Sequence, residues 1–266
     1  MVSIFGVGGR RGPRGPRGPA GPRGPGIDLI RWFPNLALRE FREIETCCLL
    51  LKNKDDLIGK EGIGYTTWKS RSGHSNARGV KPSKHVVSVD DQYALQFTDN
   101  LYEVDGVKIS SDHERSYTVI IVTFKANPRI QEQFLISDYC HPQFRGISIA
   151  HKEIRIYGVD NGSLNYLPID YEPTTWTTMC VTWSNINGNL GSFDINKGTK
   201  FGTFQCKRVN QFMFCIGGML KPHETIEKPL DGYISAIEIY SKTNAPEDSL
   251  PKCIIDLIIE DQYIVA

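Results

Sequence analysis

The chain has no long hydrophobic run. Its longest apolar-rich stretches, 47–51 and 253–259, fall well short of the roughly 18–20 apolar residues that a membrane-spanning helix needs. The N-terminal MVSIFGVGG has no charged segment followed by an apolar one, so it is not a signal peptide. Three interpretations stay open: a segment removed ahead of this point, export by another route, or no export.

The chain also lacks the common catalytic signatures. It contains no P-loop, no dinucleotide-binding glycine fingerprint, no G-x-S-x-G and no H-E-x-x-H, and its six histidines are scattered. The glycine-rich start follows no predicted strand, so it is not a phosphate-binding loop. We therefore predict that the protein is not an enzyme.

Cysteine is sparse and is not arranged to bind metal. The seven cysteines form no C-x-x-C pair and no zinc spacing with histidine. The adjacent Cys47 and Cys48 could each reach a different neighbouring chain, or could be two buried thiols on a packed helix. Cys206 and Cys215 fall in a stretch that suggests two strands and a turn, so a cross-strand disulfide is predicted if the compartment is oxidising.

Glycine occupies every third position near the N-terminus. The run GVG-GRR-GPR-GPR-GPA-GPR-GPG is the pattern of a collagen triple helix, because only glycine fits at the axis where three chains wind together. Its prolines are all at the second position of a triplet, and arginine dominates the third. A disordered arm is the alternative. The glycines that define the period are Gly6, Gly9, Gly12, Gly15, Gly18, Gly21 and Gly24.

Charge is distributed unevenly along the chain. The net charge is +1, but residues 1–26 contain arginine and no acid. In a trimer these arginines would form a basic rod able to attract polyanions such as glycans, nucleic acid or anionic lipid; otherwise they serve only helix stability and solubility. The arginines concerned are Arg10, Arg11, Arg14, Arg17 and Arg23.

Residues 27–52 combine large apolar side chains with a mixed helical spacing. Trp32 and Phe33 precede an N-cap candidate, Asn35, and Phe41 lies on the apolar face. We predict a helical neck that holds three chains together. The alternative is a helix that packs on the head domain of its own chain.

Strand patterns dominate the rest of the chain. Residues 53–84 are predicted to be an irregular linker with one early strand at 65–69, and residues 243–266 a tail that packs on the head or on a neighbouring subunit. Between them, at 85–242, short alternating or β-branched runs are separated by Asn, Gly and Pro turns. The predicted fold is mainly β, an antiparallel sandwich or jelly roll, preceded by a collagen-like stalk and a short helical neck.

The order of these runs resembles the concanavalin A-like jelly rolls of the laminin G and pentraxin type. The similar segments are YALQFTDNLYEVDGVKIS, SYTVIIVTFKA, FLISDY, GISIAHKEIRIYG, WTTMCVTWSNINGNLGSFDI and PLDGYISAIEIYS. The resemblance covers about residues 85–242. It implies two antiparallel sheets and a calcium-dependent binding site near one edge. Glucanases with this fold carry E-x-D-x-x-E, which this chain lacks.

The resemblance also suggests metal ligands. A calcium ion needs several oxygen ligands together, and the candidates are Asp99, Asn100, Asp138 and Asp160. Ordinary turn chemistry is the alternative. Asn161-Gly162-Ser163 is the one glycosylation sequon. Trp68 is a core residue or an exposed aromatic that stacks on a sugar.

Together these features predict a trimeric extracellular or secreted recognition protein, with a virion surface as another location. Lectin-like heads on a collagen-like stalk would bind a glycan or a matrix protein. The alternatives are a structural matrix, fibre or coat component whose heads pack together, and a glycan-cleaving enzyme.

Overall fold

The computed structural model describes most of the region that follows the predicted neck. The described residues are 47–51, 54–71, 75–104, 116–138, 146–161, 164–184, 190–196, 198–205, 214–221 and 225–243. The collagen-like segment with its glycines and arginines, the neck up to residue 46 with Trp32, Phe33 and Phe41, and the tail from residue 244 lie outside them. Within this part, no helix is long and apolar enough to cross a membrane.

Strands make up nearly all the regular structure of the described residues, which otherwise contain one 3-10 turn at Lys54–Asp56. The strands are β1 (Cys47–Leu51), β2 (Leu57–Lys60), β3 (Gly64–Trp68), β4 (Ala77–Lys81), β5 (Val86–Val89), β6 (Gln92–Phe97), β7 (Leu101–Val104), β8 (Ser116–Ala126), β9 (Gln133–Asp138), β10 (Gly146–Ala150), β11 (Glu153–Asn161), β12 (Leu164–Asp170), β13 (Thr177–Ser184), β14 (Leu190–Ile195), β15 (Lys200–Gln205), β16 (Phe214–Ile216), β17 (Met219–Lys221), β18 (Thr225–Glu227) and β19 (Gly232–Thr243).

The strands form two large antiparallel sheets and a small ribbon. One sheet has eight described strands in the order β15-β14-β13-β8-β19-β6-β5, with β1 also paired to β19. The other has nine, in the order β12-β11-β10-β9-β16-β7-β4-β3-β2, and β17 and β18 form the ribbon. The prediction of a mainly β, antiparallel fold is therefore confirmed.

One hydrophobic core lies between the two sheets. Because successive side chains of a strand point to opposite faces, Ile120 and Val122 of β8 both face the core, as do Ile154 and Ile156 of β11 in the other sheet. Trp183 is buried in the same cluster. The core thus joins the sheets as the two layers of a sandwich.

The sandwich begins earlier in the sequence than predicted. The neck was expected to be helical to residue 52, but Cys47–Leu51 is a strand that pairs with β19, with Leu51 opposite Ile237. Leu51 is fully buried, and β1 pairs with the part of β19 that β6 does not reach. Burial and strand pairing together outweigh any helical preference of this segment. The expected linker at 53–84 likewise contains three strands of the nine-stranded sheet, β2, β3 and β4; β3 confirms the one early strand predicted there.

The strand register defines two ends of the sandwich. At one end, Gly232 of β19 lies opposite both Phe97 and Ala126. This end carries the connections 82–85, 98–100, 127–132, 151–152 and 171–176 together with the β2–β3 and β14–β15 turns, and we call it the rim. The opposite end holds the start of β1 and the last residue of β19, Thr243. The chain on both sides of the described domain is therefore attached at the end away from the rim.

Candidate functional site

A cavity of about 690 Å³ opens on the rim, where the β4–β5 and β6–β7 connections meet the β2–β3 turn. We call it the Lys81 cavity. The side chains that give it its polar character are Lys81, Lys84, His85, Gln96, Thr98, Asp99 and Asn100, and Ile63 stands at its edge.

A buried tyrosine holds the wall of the Lys81 cavity in place. The Tyr102 hydroxyl donates to the carbonyl of Tyr65 at 2.7 Å and accepts from the Ser83 N–H at 3.1 Å. The Ser83 hydroxyl donates in turn to the Gln96 carbonyl at 2.5 Å. Burial raises the pKa of Tyr102, which keeps its hydroxyl protonated. These hydrogen bonds connect β7, β3 and β6 behind the cavity.

Asn100 shapes the floor through its amide. Its Nδ2 donates to the Pro82 carbonyl at 3.1 Å, and its Oδ1 accepts from the Thr98 N–H at 3.1 Å. Asn100 is buried, whereas the neighbouring Asp99 is exposed and forms an ion pair with Lys81. The Asp-Asn pair singled out in the sequence therefore occupies the predicted turn, where both side chains already have partners.

A carboxylate in contact with an imidazole and a tyrosine hydroxyl lies at the cavity mouth. The Nδ1 of His85 lies 2.9 Å from Oε1 of Glu61, and the Tyr65 hydroxyl donates to Oε2 of Glu61 at 2.9 Å. Hydrogen bonding to His85, then to Tyr65 and the Val86 N–H, lowers the pKa of Glu61. The mouth therefore presents an ionised carboxylate next to an imidazole.

The four predicted metal ligands are not brought together. Asp99 and Asn100 lie on the rim, whereas Asp138 ends β9 and Asp160 lies near the end of β11, at the opposite end of the sandwich. β10 also separates β9 from β11 in the sheet. The idea that these residues share one site is wrong. No group of three His, Cys, Asp or Glu side chains in the described part of the chain could hold a metal ion.

The other predicted sites have mixed outcomes. Asn161, the glycosylation candidate, is the last residue of β11, away from the rim. Cys47 and Cys48 lie on β1. The hairpin expected to bring Cys206 and Cys215 together is wrong: the strand before Cys206 belongs to the eight-stranded sheet, and Cys215 lies on β16 of the nine-stranded sheet. Cys206 itself is outside the described residues, so the disulfide prediction is untested.

The three tryptophans in the described part of the chain are buried or half-buried and do not form a sugar-stacking surface. Trp68 is only 2% exposed, which rules out its exposed alternative. Trp183 is buried and its Nε1 donates to the Tyr157 carbonyl at 3.2 Å. Trp176 is half-buried and donates to the Val89 carbonyl at 3.2 Å. The exposed large apolar side chains of the rim are instead Ile63, Ile130 and Phe201.

A second charged cluster lies on the outer face of the nine-stranded sheet. Glu132 accepts hydrogen bonds from Lys228, Tyr157 and, at 2.8 Å, Ser148. Burial alone would raise the pKa of Glu132, but these hydrogen bonds outweigh burial and lower it. Arg155 also lies over the ring of Tyr166, 4.8 Å from its centre. Because its charges are paired internally, the cluster is best explained as structural.

Sequence reasoning missed most of the Lys81 cavity. Lys81 and Lys84 belong to KPSK, which was assigned to an irregular linker, and His85 was placed at the first position of the predicted head. The basic character of this segment was the available signal. Its position beside Asp99 depends on the pairing of β4 with β7, which local pattern does not reveal.

Comparisons with known proteins agree on the fold. No family model and no curated protein matches the chain. Among solved structures, it is similar to Trypanosoma rangeli sialidase (TM-score 0.54, 12% identity, 82% of this chain and 33% of that chain). It is also similar to the binding domain of botulinum neurotoxin serotype D (TM-score 0.50, 17% identity, 82% of this chain and 52% of that chain). The chain thus spans about a third of the sialidase and about half of the toxin domain. At these identities, the likeness shows a β-sandwich-type fold alone.

Proposed function

We propose that this chain is a non-enzymatic extracellular recognition protein whose β-sandwich head binds a glycan in the Lys81 cavity. The observation that carries the proposal is the position of this large polar cavity on the rim, at the end of the head away from both chain junctions. Ligand sites are typically concave and have a few polar groups that fix the ligand's orientation. A concanavalin A-like head of the laminin G or pentraxin type remains our preferred family.

The chemistry of the cavity suits sugar hydroxyl groups. A hydroxyl both donates and accepts, so it can bond to a carboxylate and a cation that lie side by side, through the lone pairs and N–H groups that their own contact leaves over. The cavity offers such a pair in Asp99 and Lys81, and at its mouth the carboxylate of Glu61 lies beside the imidazole of His85, with the exposed ammonium of Lys84 next to them. Ile63, 71% exposed at the edge, can contact the apolar face of a sugar ring.

The hydrogen bonds and ion pairs of the carboxylates favour glycan binding over glycan cleavage. Glycoside hydrolysis usually needs a carboxylic acid whose pKa is raised so that it can protonate the leaving group. The pKa of Glu61 is instead lowered by its hydrogen bonds, and Asp99 is held by Lys81. Glu132, away from the cavity, also has a lowered pKa. These observations support a binding role for the head.

Trimerisation through a collagen-like stalk and an apolar neck belongs to the same proposal. Three weakly binding heads gain avidity when they can engage one surface together. Cys47 and Cys48 start β1 at the end where the neck joins the head, so they are suitably located to link neighbouring chains. Light scattering with and without reductant tests this: a mass near three times 29.9 kDa is expected. A monomer in both conditions would reject the stalk.

A glycan array probed with the full chain tests the binding function, and running it with calcium and with a chelator tests the calcium dependence that the family resemblance implies. The best hit is then titrated by calorimetry against Lys84→Ala and Asp99→Asn. Each should weaken binding by about tenfold, the effect of losing one charge-assisted hydrogen bond.

Lys69→Ala is the matched control, because this exposed lysine follows β3 at the end away from the rim. Melting curves establish that each variant is folded. An array without hits would reject glycan recognition. Binding that survives both cavity variants would place the glycan site elsewhere.

One observation favours a structural component as the second candidate function. The rim carries Ile130 and Phe201, 88% and 72% exposed. Apolar side chains this exposed can be covered by another head. If heads associate through the rim, the mass of the assembly should rise with protein concentration, and Ile130→Asp should abolish the rise. A mass that does not change with concentration would exclude this role.

A further inference from the structure

A second cavity, of about 370 Å³, lies on the same rim. The β10–β11, β12–β13 and β14–β15 connections enclose it. We call it the Tyr171 cavity. Its inner wall contains Tyr171, Thr177 and Ile195, all buried, and its mouth is lined by exposed Thr175 and Thr199.

The charges around the Tyr171 cavity balance. Two lysines, Lys152 and Lys200, face two acids, Asp170 and Glu172. The ammonium of Lys200 donates to the backbone carbonyl of Asp170, which fixes one side of the mouth. A balanced set of charges favours neither an anion nor a cation, so the ligand that fits best is uncharged and rich in hydroxyl groups.

The threonines at the mouth present accepting oxygens. The Thr175 hydroxyl donates to the Glu172 carbonyl at 2.9 Å, and the Thr199 hydroxyl donates to the Asn196 carbonyl at 2.9 Å. Each hydroxyl proton is therefore already used in a hydrogen bond, while the lone pairs of each oxygen can accept a hydrogen bond from a ligand. Their methyl groups, with Ile195, supply apolar contact. This alternation of apolar and accepting surface matches a sugar ring, which has C–H faces and hydroxyl edges.

Tyr171 adds an independent observation. It is 7% exposed, and its hydroxyl has no hydrogen-bond partner within the described part of the chain. Buried polar atoms without partners are rare in native proteins and call for a specific reason. The hydroxyl has almost no accessible surface, so it lies behind the inner wall of the cavity, which Tyr171 lines, and the residue is a reporter of that wall.

The two cavities are neighbours on one rim. The Lys81 cavity adjoins the end of β6, and the Tyr171 cavity adjoins the start of β13, three strands away in the order β6-β19-β8-β13. At about 4.8 Å per strand, the separation is roughly 15 Å. A glycan chain of several units is long enough to occupy both.

We propose that the Tyr171 cavity is a second sugar subsite, which binds one uncharged ring of a glycan whose other end lies in the Lys81 cavity. The inference extends the proposed function, and it can be tested separately because each cavity has its own tyrosine. Tyr65 donates to Glu61 at the mouth of the Lys81 cavity, and Tyr171 lines the other.

The test is fluorine NMR of the full chain labelled with 3-fluorotyrosine. Tyr65→Phe and Tyr171→Phe assign the two resonances. The probes are glucose, galactose, mannose and N-acetylglucosamine, with glycerol as the control for non-specific effects. We expect at least one sugar, but not glycerol, to shift the Tyr171 resonance in a saturable way.

Thr199→Trp should fill the mouth and raise the apparent dissociation constant at Tyr171 by about tenfold or more. Its matched control is Thr203→Trp, since Thr203 is exposed on β15, the strand that directly follows Thr199, but does not line the cavity. Lys84→Ala should leave the Tyr171 response unchanged, because Lys84 belongs to the other cavity.

The outcomes separate the two proposals. A shift at Tyr171 without one at Tyr65 supports the second subsite and counts against the Lys81 cavity as a glycan site. A shift at Tyr65 alone, or a Tyr171 response that Thr199→Trp leaves intact, overturns the second subsite. A response to glycerol equal to that to the sugars also overturns it.

Discussion

Replacing Tyr171 by phenylalanine should stabilise the protein. The Tyr171 hydroxyl is buried without a hydrogen-bond partner in the described part of the chain, so removing it breaks no bond there. An unsatisfied buried hydroxyl costs about 1–3 kcal/mol in desolvation, and the ring itself keeps its contacts, including its tilted packing at 6.3 Å from Phe124. After a small loss for the void that remains, we expect the free energy of unfolding to rise by about 1 kcal/mol.

Tyr102→Phe provides the opposite case in the same core. The Tyr102 hydroxyl is equally buried but makes two hydrogen bonds, to the Tyr65 carbonyl and from the Ser83 N–H. Its removal leaves both groups without their partner, so we expect a loss of about 1–3 kcal/mol. The same chemical change should therefore have opposite signs at Tyr171 and Tyr102.

Urea unfolding at neutral pH, followed by tryptophan fluorescence, measures both changes. The m-value should stay constant, since neither change alters the surface exposed on unfolding. A gain of about 1 kcal/mol corresponds to a rise in Tm of roughly 2–4 °C for a domain of this size. A destabilisation by Tyr171→Phe similar to that by Tyr102→Phe would mean that the Tyr171 hydroxyl has a partner, and it would refute the argument from the unsatisfied hydroxyl.

Three further predictions address the turn, the charged cluster and the stalk. Gly217→Ala should cost about 2–4 kcal/mol in urea unfolding, because Gly217 has a φ of 85° and an added Cβ would lie 2.3 Å from the Phe97 ring; a loss below about 1 kcal/mol would contradict this. Glu132→Gln should cost about 1–2 kcal/mol at pH 7, since it leaves a lysine unpaired. Because the folded state lowers the pKa of Glu132 below 4.5, this stabilisation is present above pH 4.5 and is lost as the pH falls through the lowered pKa, so unfolding curves of the two proteins should converge in acid; a constant difference would refute it. If residues 6–26 form the proposed triple helix, Gly15→Asp should break it and reduce the trimer fraction in sedimentation, whereas Ala20→Ser, at a third triplet position, should not.

The long strands were predictable because their local pattern matches their final environment. SYTVIIVTFKA became β8, in the middle of the eight-stranded sheet, where both faces are covered: Ile120 and Val122 face the core, and Val119 and Ile121 are buried on the other side. A strand buried on both faces is apolar almost throughout, and so many β-branched residues in a row favour a strand over a helix.

The early strands were missed because they depend on distant partners. β1 pairs with β19, nearly two hundred positions along the chain, and β4, whose sequence is ARGVK, pairs with β7. CCLLL contains no β-branched residue, so its local preference does not indicate a strand. Strand pairing and burial of Leu51 decide its conformation, and local sequence reveals neither.

The site was predictable only where it depended on a turn. The Asp99–Asn100 turn lies where the resemblance indicated, because Asx side chains stabilise turns locally. Asp138 and Asp160 were grouped with it from their order in the chain, but antiparallel strands send successive connections to alternate ends. Each of these two acids ends or nearly ends a strand that runs away from the rim, so no loop rearrangement could bring them to Asp99.

The positions of the chain junctions on the head constrain how a molecule with a stalk could bind its ligand. β1 begins beside Tyr240 and β19 ends beside Ser116, so residues 1–46 and 244–266 both join the head at one end. Both cavities open on the other end. If residues 1–46 form the proposed stalk and neck, three heads would be joined at the end away from the rim. Their cavities would then face outward, where one glycan-bearing surface can engage them together. Avidity requires that geometry and fails without it. A strand order with the chain junctions on the rim would have left the cavities facing the stalk, so the topology of β1 and β19 is compatible with the proposed trimerisation and the proposed recognition in one chain.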